Sequence, residues 1–155
     1  MGFAKALSCS RAMHQSSPLI VPVRSTPCAP LRVIFVEGRG RGVVAERDLS
    51  AGELIERAPV LIIPESDRGT IDETNVGNYI FMWEHDRTGE GLYLGSGRAA
   101  VVLGYASLVN HSTMPNCDTV RHIEALAHDL IALRPIASGE ELTIDYGMTL
   151  WFTPV

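Results

Sequence analysis

The sequence predicts a mostly β fold with short helices, built as a single domain over residues 31–155. Three observations carry that prediction. Short runs of apolar and β-branched residues recur along the chain. Turns bearing glycine or proline separate them at close intervals. Little of what remains reads as helix. At 155 residues and 16.9 kDa the chain is about one domain, long enough to bury a core without disulfide or metal staples.

The elements follow in order. Leu31–Val36 is an apolar, β-branched strand, and residues 38–42 are a glycine-rich turn leading into a second short strand at 42–46. Residues 47–52 turn again before a longer strand over 53–64. Pro59 within it lacks an N–H and predicts a sheet edge or a bulge. Residues 65–77 are polar, with room for a helical turn. Tyr79, Phe81 and Trp83 alternate with Ile80, Met82 and Glu84, which is strand-like. Gly89 and Gly91 signal a hairpin over 86–91 before a strand at 92–94. Residues 99–109 read as a short buried helix. Apolar positions alternate through 122–133, and 142–146 form a last strand. One pattern echoes: Arg47-Asp-Leu-Ser-Ala-Gly-Glu-Leu and Arg134-Pro-Ile-Ala-Ser-Gly-Glu-Glu. It reads as two independent uses of one turn chemistry rather than a duplication.

Charge is uneven along the chain. Residues 1–32 hold Lys5, Arg11, Arg24 and Arg32 and no acid; the rest carries 13 − 4 = 9 basic and 18 acidic residues, a net charge of −9. Such a domain is a poor match to nucleic acid, whose phosphates need a basic face, and a good match to a basic partner. Residues 1–30, basic and rich in Ser, Ala and Pro, read as a disordered tail or an organelle-targeting segment. No apolar run approaches the ~20 residues of a membrane span. Cys9, Cys28 and Cys117 form no CxxC pair, so neither a disulfide framework nor a cysteine zinc site is expected, and a reducing compartment is the default.

Three segments carry candidate chemistry. Gly38-Arg39-Gly40-Arg41-Gly42 lets backbone approach a ligand closely, but it lacks the Lys-Ser/Thr ending of a phosphate loop. Val109-Asn110-His111-Ser112-Thr113-Met114-Pro115-Asn116 is turn chemistry in which His111 would be a general base or a ligand if it had partners; no histidine or cysteine lies at metal-binding spacing. Cys117 beside a histidine is a hydrolase dyad only on paper. Ser138-Gly139-Glu140-Glu141-Leu142-Thr143-Ile144-Asp145-Tyr146-Gly147 is a core strand ending in an acid, a tyrosine and a glycine. Each alone has a plain structural explanation.

Together, and in this order, the three segments resemble the SET-domain family of protein-lysine methyltransferases, over residues from about 33 to 151. Leu103-Gly-Tyr-Ala-Ser-Leu-Val-Asn-His-Ser is similar to the minimal bacterial and viral members. The resemblance implies a SET-type β-clip fold of small sheets with a C-terminal pseudoknot. It implies S-adenosyl-L-methionine as cofactor, held by Arg39, Gly40, Arg41, Gly42, Asn110 and His111, with Trp151 near the adenine. It implies Tyr146 as the catalytic tyrosine, with Tyr79 and Tyr105 beside it in a lysine channel, and no metal. The substrate would be a basic protein or peptide, such as a histone-like tail or a ribosomal protein, and a homodimer would complete the peptide groove. A bacterial-type member would be cytoplasmic, or imported if residues 1–30 are a transit peptide.

The chemistry agrees with that assignment. In-line methyl transfer to an amine needs positioning more than acid–base groups. A narrow aromatic channel disfavours the lysine ammonium by desolvation. Two departures stand out: Leu150 where minimal members carry a second tyrosine, and no cysteine-rich segment after the core. They support the alternative, a SET-like interaction module that binds basic peptides without turnover.

Overall fold

The strand β1 (Leu31–Val36) turns at residues 37–39 into β2 (Gly40–Ala45), and the two pair antiparallel from Leu31↔Ala45 to Val36↔Gly40. This is a computed structural model describing residues 29–84 and 97–147. The expected hairpin at 86–91, the strand at 92–94, the segment before residue 29, Leu150 and Trp151 lie outside the described residues. The second strand begins at Gly40, two residues earlier than the sequence suggests, because the turn is confined to residues 37–39 and Gly40 already pairs with Val36.

A five-stranded antiparallel sheet forms the body, in the order β4 (Ile80–Met82), β5 (Ala99–Val102), β3 (Leu54–Ile63), β8 (Ala127–Ala132), β7 (Cys117–His122). Its middle strand is β3 (Leu54–Ile63), so Pro59 is not on an edge, and the bulge lies between Leu54 and Glu56 instead. β3 pairs with β8 (Ala127–Ala132) up to Pro59 and with β5 (Ala99–Val102) from Val60 onward. Pro59 sits where the strand changes partners. Its carbonyl still accepts from Leu103 N at 2.9 Å, so only the donor that proline lacks is given up.

The polar stretch after β3 folds as α1 (Glu65–Asp72), which buries none of its residues. A 3-10 turn over Asn75–Tyr79, capped by the Thr74 side chain, leads into β4 (Ile80–Met82). The expected helix at 99–109 is instead β5 followed by a 3-10 turn at Tyr105–Leu108. Ala99 and Ala100 are wholly buried between two flanking strands, where the ladder's hydrogen bonds outweigh alanine's helix preference. β7 (Cys117–His122) is too polar to announce itself in sequence.

The last piece fixes the architecture. β9 is only Thr143–Ile144, shorter than the expected strand, and pairs parallel with β6 (Asn110–His111). On one side Leu142 N donates to Val43 O (2.8 Å); on the other Ser112 N donates to Ile144 O (3.0 Å) and Thr143 N to Asn116 Oδ1 (2.8 Å). Residues 141–146 are thus laced between β2 and the 110–116 loop, in the manner of the expected pseudoknot. The core beneath them gathers Val43, Ala45, Ile55, Val102, Leu130, Ile136, Leu142 and Ile144.

The echoed turns meet face to face. Leu49 and Ile136 exchange backbone hydrogen bonds at 2.8 and 3.0 Å. Gly52 N donates to Ala132 O and Gly139 N to Ala45 O. Each alanine lies two residues before the other turn's arginine, so the pair is related by a local two-fold.

Candidate active site

Three sequence-distant segments converge on one carboxylate. Glu141 accepts from Arg39 Nη2 (2.7 Å) of the glycine turn and from Asn110 Nδ2 (2.8 Å) of the loop. Gly42 fits beneath: a Cβ there would lie 2.8 Å from Glu141 Oε1 and 3.0 Å from Asn110 Nδ2. Gly40 is the opposite case. Its φ is +78° and a Cβ would meet nothing within 4 Å, leaving an open backbone face that a ligand can approach closely.

Asn116 locks the same junction from below. It is 2% exposed. Its Nδ2 donates to Glu141 O (2.8 Å) and Glu140 Oε1 (3.1 Å), while its Oδ1 accepts from Thr143 N.

Tyr146 stands beside this junction. Its hydroxyl donates to Val109 O at 3.1 Å, and its backbone N–H donates to His111 Nδ1 at 3.2 Å. A backbone amide can only donate, so the neutral His111 ring carries its proton on Nε2. Asp145 Oδ1, 3.8 Å from the same Nδ1, accepts instead from Gly147 N at 2.9 Å. The rings of His111 and Tyr146 are 5.3 Å apart. Burial holds the Tyr146 phenol above its usual pKa of 10, against the opposing pull of the His111 contact and the Arg39 charge, so it stays protonated at neutral pH.

Tyr146 forms one wall of a cavity of about 470 Å³. Tyr79, Phe81, Val109 and Ile144 line that cavity with apolar and aromatic surface, and Arg68, Asp72, Thr119, Arg121 and His128 line it too. Arg41 of the glycine turn lies over the Tyr79 ring, 5.2 Å from its centroid. Tyr105 does not reach the cavity wall and packs against the core. Gly40, Gly42, Asn110 and His111 are also off the cavity wall, with His111 packed against Tyr146. Trp151 lies outside the described residues.

Residues 40–147 match the SET domain family, and a relative from Schizosaccharomyces pombe shares the pattern. The chain belongs to the SET-domain family of lysine methyltransferases. That relative, the H3 lysine-37 specific histone-lysine N-methyltransferase, is 30% identical over 80% of this chain and 78% of its own length. N-lysine methyltransferase KMT5A of Xenopus tropicalis is 32% identical over 76% of this chain, which spans 36% of that protein. Human histone-lysine N-methyltransferase 2B is 34% identical over 69% of this chain but only 4% of its own length. Among solved structures, the Neurospora SET-domain protein DIM-5 superposes with a TM-score of 0.56 at 22% identity, covering 82% of this chain and 55% of that one. This likeness bears out the SET-type fold.

Two positioning groups escape sequence reading. Glu141 has one acidic neighbour and nothing local to mark it. Glu56, 6% exposed, accepts from Tyr105 N and Ala106 N, each at 3.0 Å. It therefore caps the turn that delivers Val109 to Tyr146, and Gly104 makes room, since a Cβ there would sit 2.6 Å from Glu56 Oε1. Both require strands far apart in sequence to be side by side. A hydrolase reading fails: Cys117 is buried, its thiol pushed up to about 12 by desolvation, and it points at Asn116 Oδ1. No cluster of three metal-binding side chains exists among the described residues.

Proposed function

We propose that this chain transfers a methyl group from S-adenosyl-L-methionine to the side-chain amine of a lysine in a basic protein segment, histone-like or ribosomal. The observation that carries it is the Tyr146 hydroxyl, anchored on Val109 O in a cavity that Tyr79 and Phe81 also line. The names of the relatives and the net charge of −9 beyond residue 32 support the substrate class.

The cofactor supplies, when bound, a methyl group already activated by its sulfonium. The open backbone face at Gly40 and the fixed pair Asn110–His111 fit such a group, and these residues with Arg39, Arg41 and Gly42 would hold it. Everything else is done by the chain's own side chains. The Tyr146 O–H is committed to Val109, so the oxygen's lone pairs accept from the lysine amine and aim its nitrogen. Tyr79, Phe81, Val109 and Ile144 strip water from the incoming ammonium, lowering its pKa from ~10.4 toward the neutral nucleophile. Aromatic faces tolerate the cationic product. The Arg39 side chain is paired with Glu141, which also fixes the glycine turn that carries it.

Calorimetric titration of the protein with S-adenosylmethionine, followed by methyl incorporation into mixed histones, tests the reading. Binding is expected and is lost in Asn110→Ala. Tyr146→Phe is expected to lower kcat by about 100-fold, the usual size for one oriented polar group. A folded protein that neither binds the cofactor nor turns over on any basic substrate is an interaction module instead.

A further inference from the structure

The cavity is larger than a lysine side chain needs. At ~30 Å³ per water-sized group, its volume of about 470 Å³ far exceeds the five heavy atoms from Cβ to Nζ. Thr119 and Arg121 of β7 and His128 of β8 line the same cavity as Tyr146.

His128 is the anomaly there. It is 1% exposed, and neither ring nitrogen has a hydrogen-bond partner among the described residues. Such orphans are uncommon in a folded protein. The ring is fixed by its neighbours: Phe81 packs at a centroid distance of 4.6 Å, and Ala58 and Arg121 flank it across the sheet. Arg121 does not relieve it, because its Nη1 donates to the carbonyls of Met82 and Trp83. Burial lowers the imidazole pKa to about 4, so at neutral pH the ring offers one N–H and one lone pair. No metal-binding partners surround it among the described residues.

We propose that His128 is a specificity-determining residue that reads an uncharged side chain beside the target lysine, one that both donates and accepts a hydrogen bond: a hydroxyl or a carboxamide. An apolar flanking residue leaves the imidazole unsatisfied. An arginine meets Arg68 and Arg121, which line the same cavity, where Asp72 is already paired with Arg68. The inference rests on the methyltransferase reading of the cavity.

The test uses the whole chain and single-lysine peptides in a basic background, with serine, glutamine, alanine, aspartate or arginine placed in turn at each of the two positions on either side of the lysine. Methyl incorporation is expected to show kcat/KM at least tenfold higher for serine or glutamine than for alanine at one of these positions. The preference disappears in His128→Phe and survives in His128→Gln, which keeps a donor and an acceptor. An alanine peptide used equally well, or a preference unchanged in His128→Phe, overturns the proposal. If no peptide is methylated, the fault lies with the enzyme reading, and the ring ¹⁵N signals of His128 decide separately. A shift on saturation with the serine peptide but not the alanine peptide sustains the recognition role. Signals indifferent to both, as for a ring satisfied by a trapped water, overturn it.

Discussion

The turn at residues 47–53 and the turn at 134–140 are built alike and used differently. In each, an arginine pairs with the glutamate six residues on, Arg47 with Glu53 at 2.5 Å and Arg134 with Glu140 at 2.7 Å. In each, the glutamate's other oxygen accepts a backbone N–H, from Ser50 at 2.9 Å or Ala137 at 3.0 Å. In each, a left-handed glycine closes the turn, at φ +78° or +85°. The residue that follows differs. After Glu53 comes Leu54, the start of a core strand; after Glu140 comes Glu141, which gathers Arg39 and Asn110. Asn116 also reaches the second turn through Glu140 and has no counterpart on the first. Local turn chemistry is thus generic, and the site arises from what one copy delivers.

Breaking the added connection should have the largest effect. Asn116→Ala orphans buried groups on Thr143 and Glu141 and is expected to cost ~3 kcal/mol by chemical denaturation. Asp48→Ala, which removes the first turn's exposed contact to Ser138 N, should cost no more than ~0.5 kcal/mol. Gly42→Ala comes next: the crowding against Glu141 and Asn110 predicts a loss of ~2 kcal/mol together with loss of cofactor binding in calorimetry. Gly52→Ala and Gly139→Ala should each cost ~1 kcal/mol for a left-handed alanine, and by equal amounts, because neither Cβ meets a neighbour. Unequal losses in thermal unfolding would break the two-fold equivalence.

The smallest effects concern the paired glutamates. Each has its carboxyl pKa lowered from 4.5, chiefly by the arginine's hydrogen bond and then by the backbone N–H. A lowered carboxyl pKa stabilises the fold above pH ~4.5 and ceases to do so as pH falls through the folded value. Glu53→Gln and Glu140→Gln should therefore cost under ~1 kcal/mol at pH 7 and flatten the acid limb of the stability curve below pH ~4.5. Only Glu140→Gln should also slow methyl transfer. His128 contributes separately: its pKa is lowered from 6.5 to about 4 by burial, so folding loses that contribution as pH falls from 6.5 toward 4. Differences between each variant and the parent isolate the glutamates.

Much of the chain was legible because its signals are local. β-branched runs announced β1 and β3, and the order of glycine turn, Asn-His-Ser loop and Asp-Tyr-Gly strand announced the family. Ala99 and Ala100 misled, since alanine favours helix in isolation and a crowded sheet interior overrode it. Pro59 misled because a strand that changes partners has a place for a missing donor. The echo was visible, but that its two copies touch was not, since no residue type encodes a partner 87 positions away. Glu56 was silent for the same reason, and Glu141 and Asn116, though inside the singled-out segments, carried no sign of the partners that the folded chain brings them. His128 was visible only as one of several histidines.

The parallel pairing of β9 with β6 also sets a timetable. Synthesis runs from the amino terminus, so the segment bearing β9 and Tyr146 leaves the ribosome after every element it joins. Asn110, Asn116 and Arg39 are made well before Glu141 arrives to gather them. A nascent chain can therefore assemble its sheet while still chemically inert, and competence comes in one late step when the lacing is drawn through. On the proposed reading of Tyr146, the group that orients the lysine is the last part of the site to be made, after the body it joins.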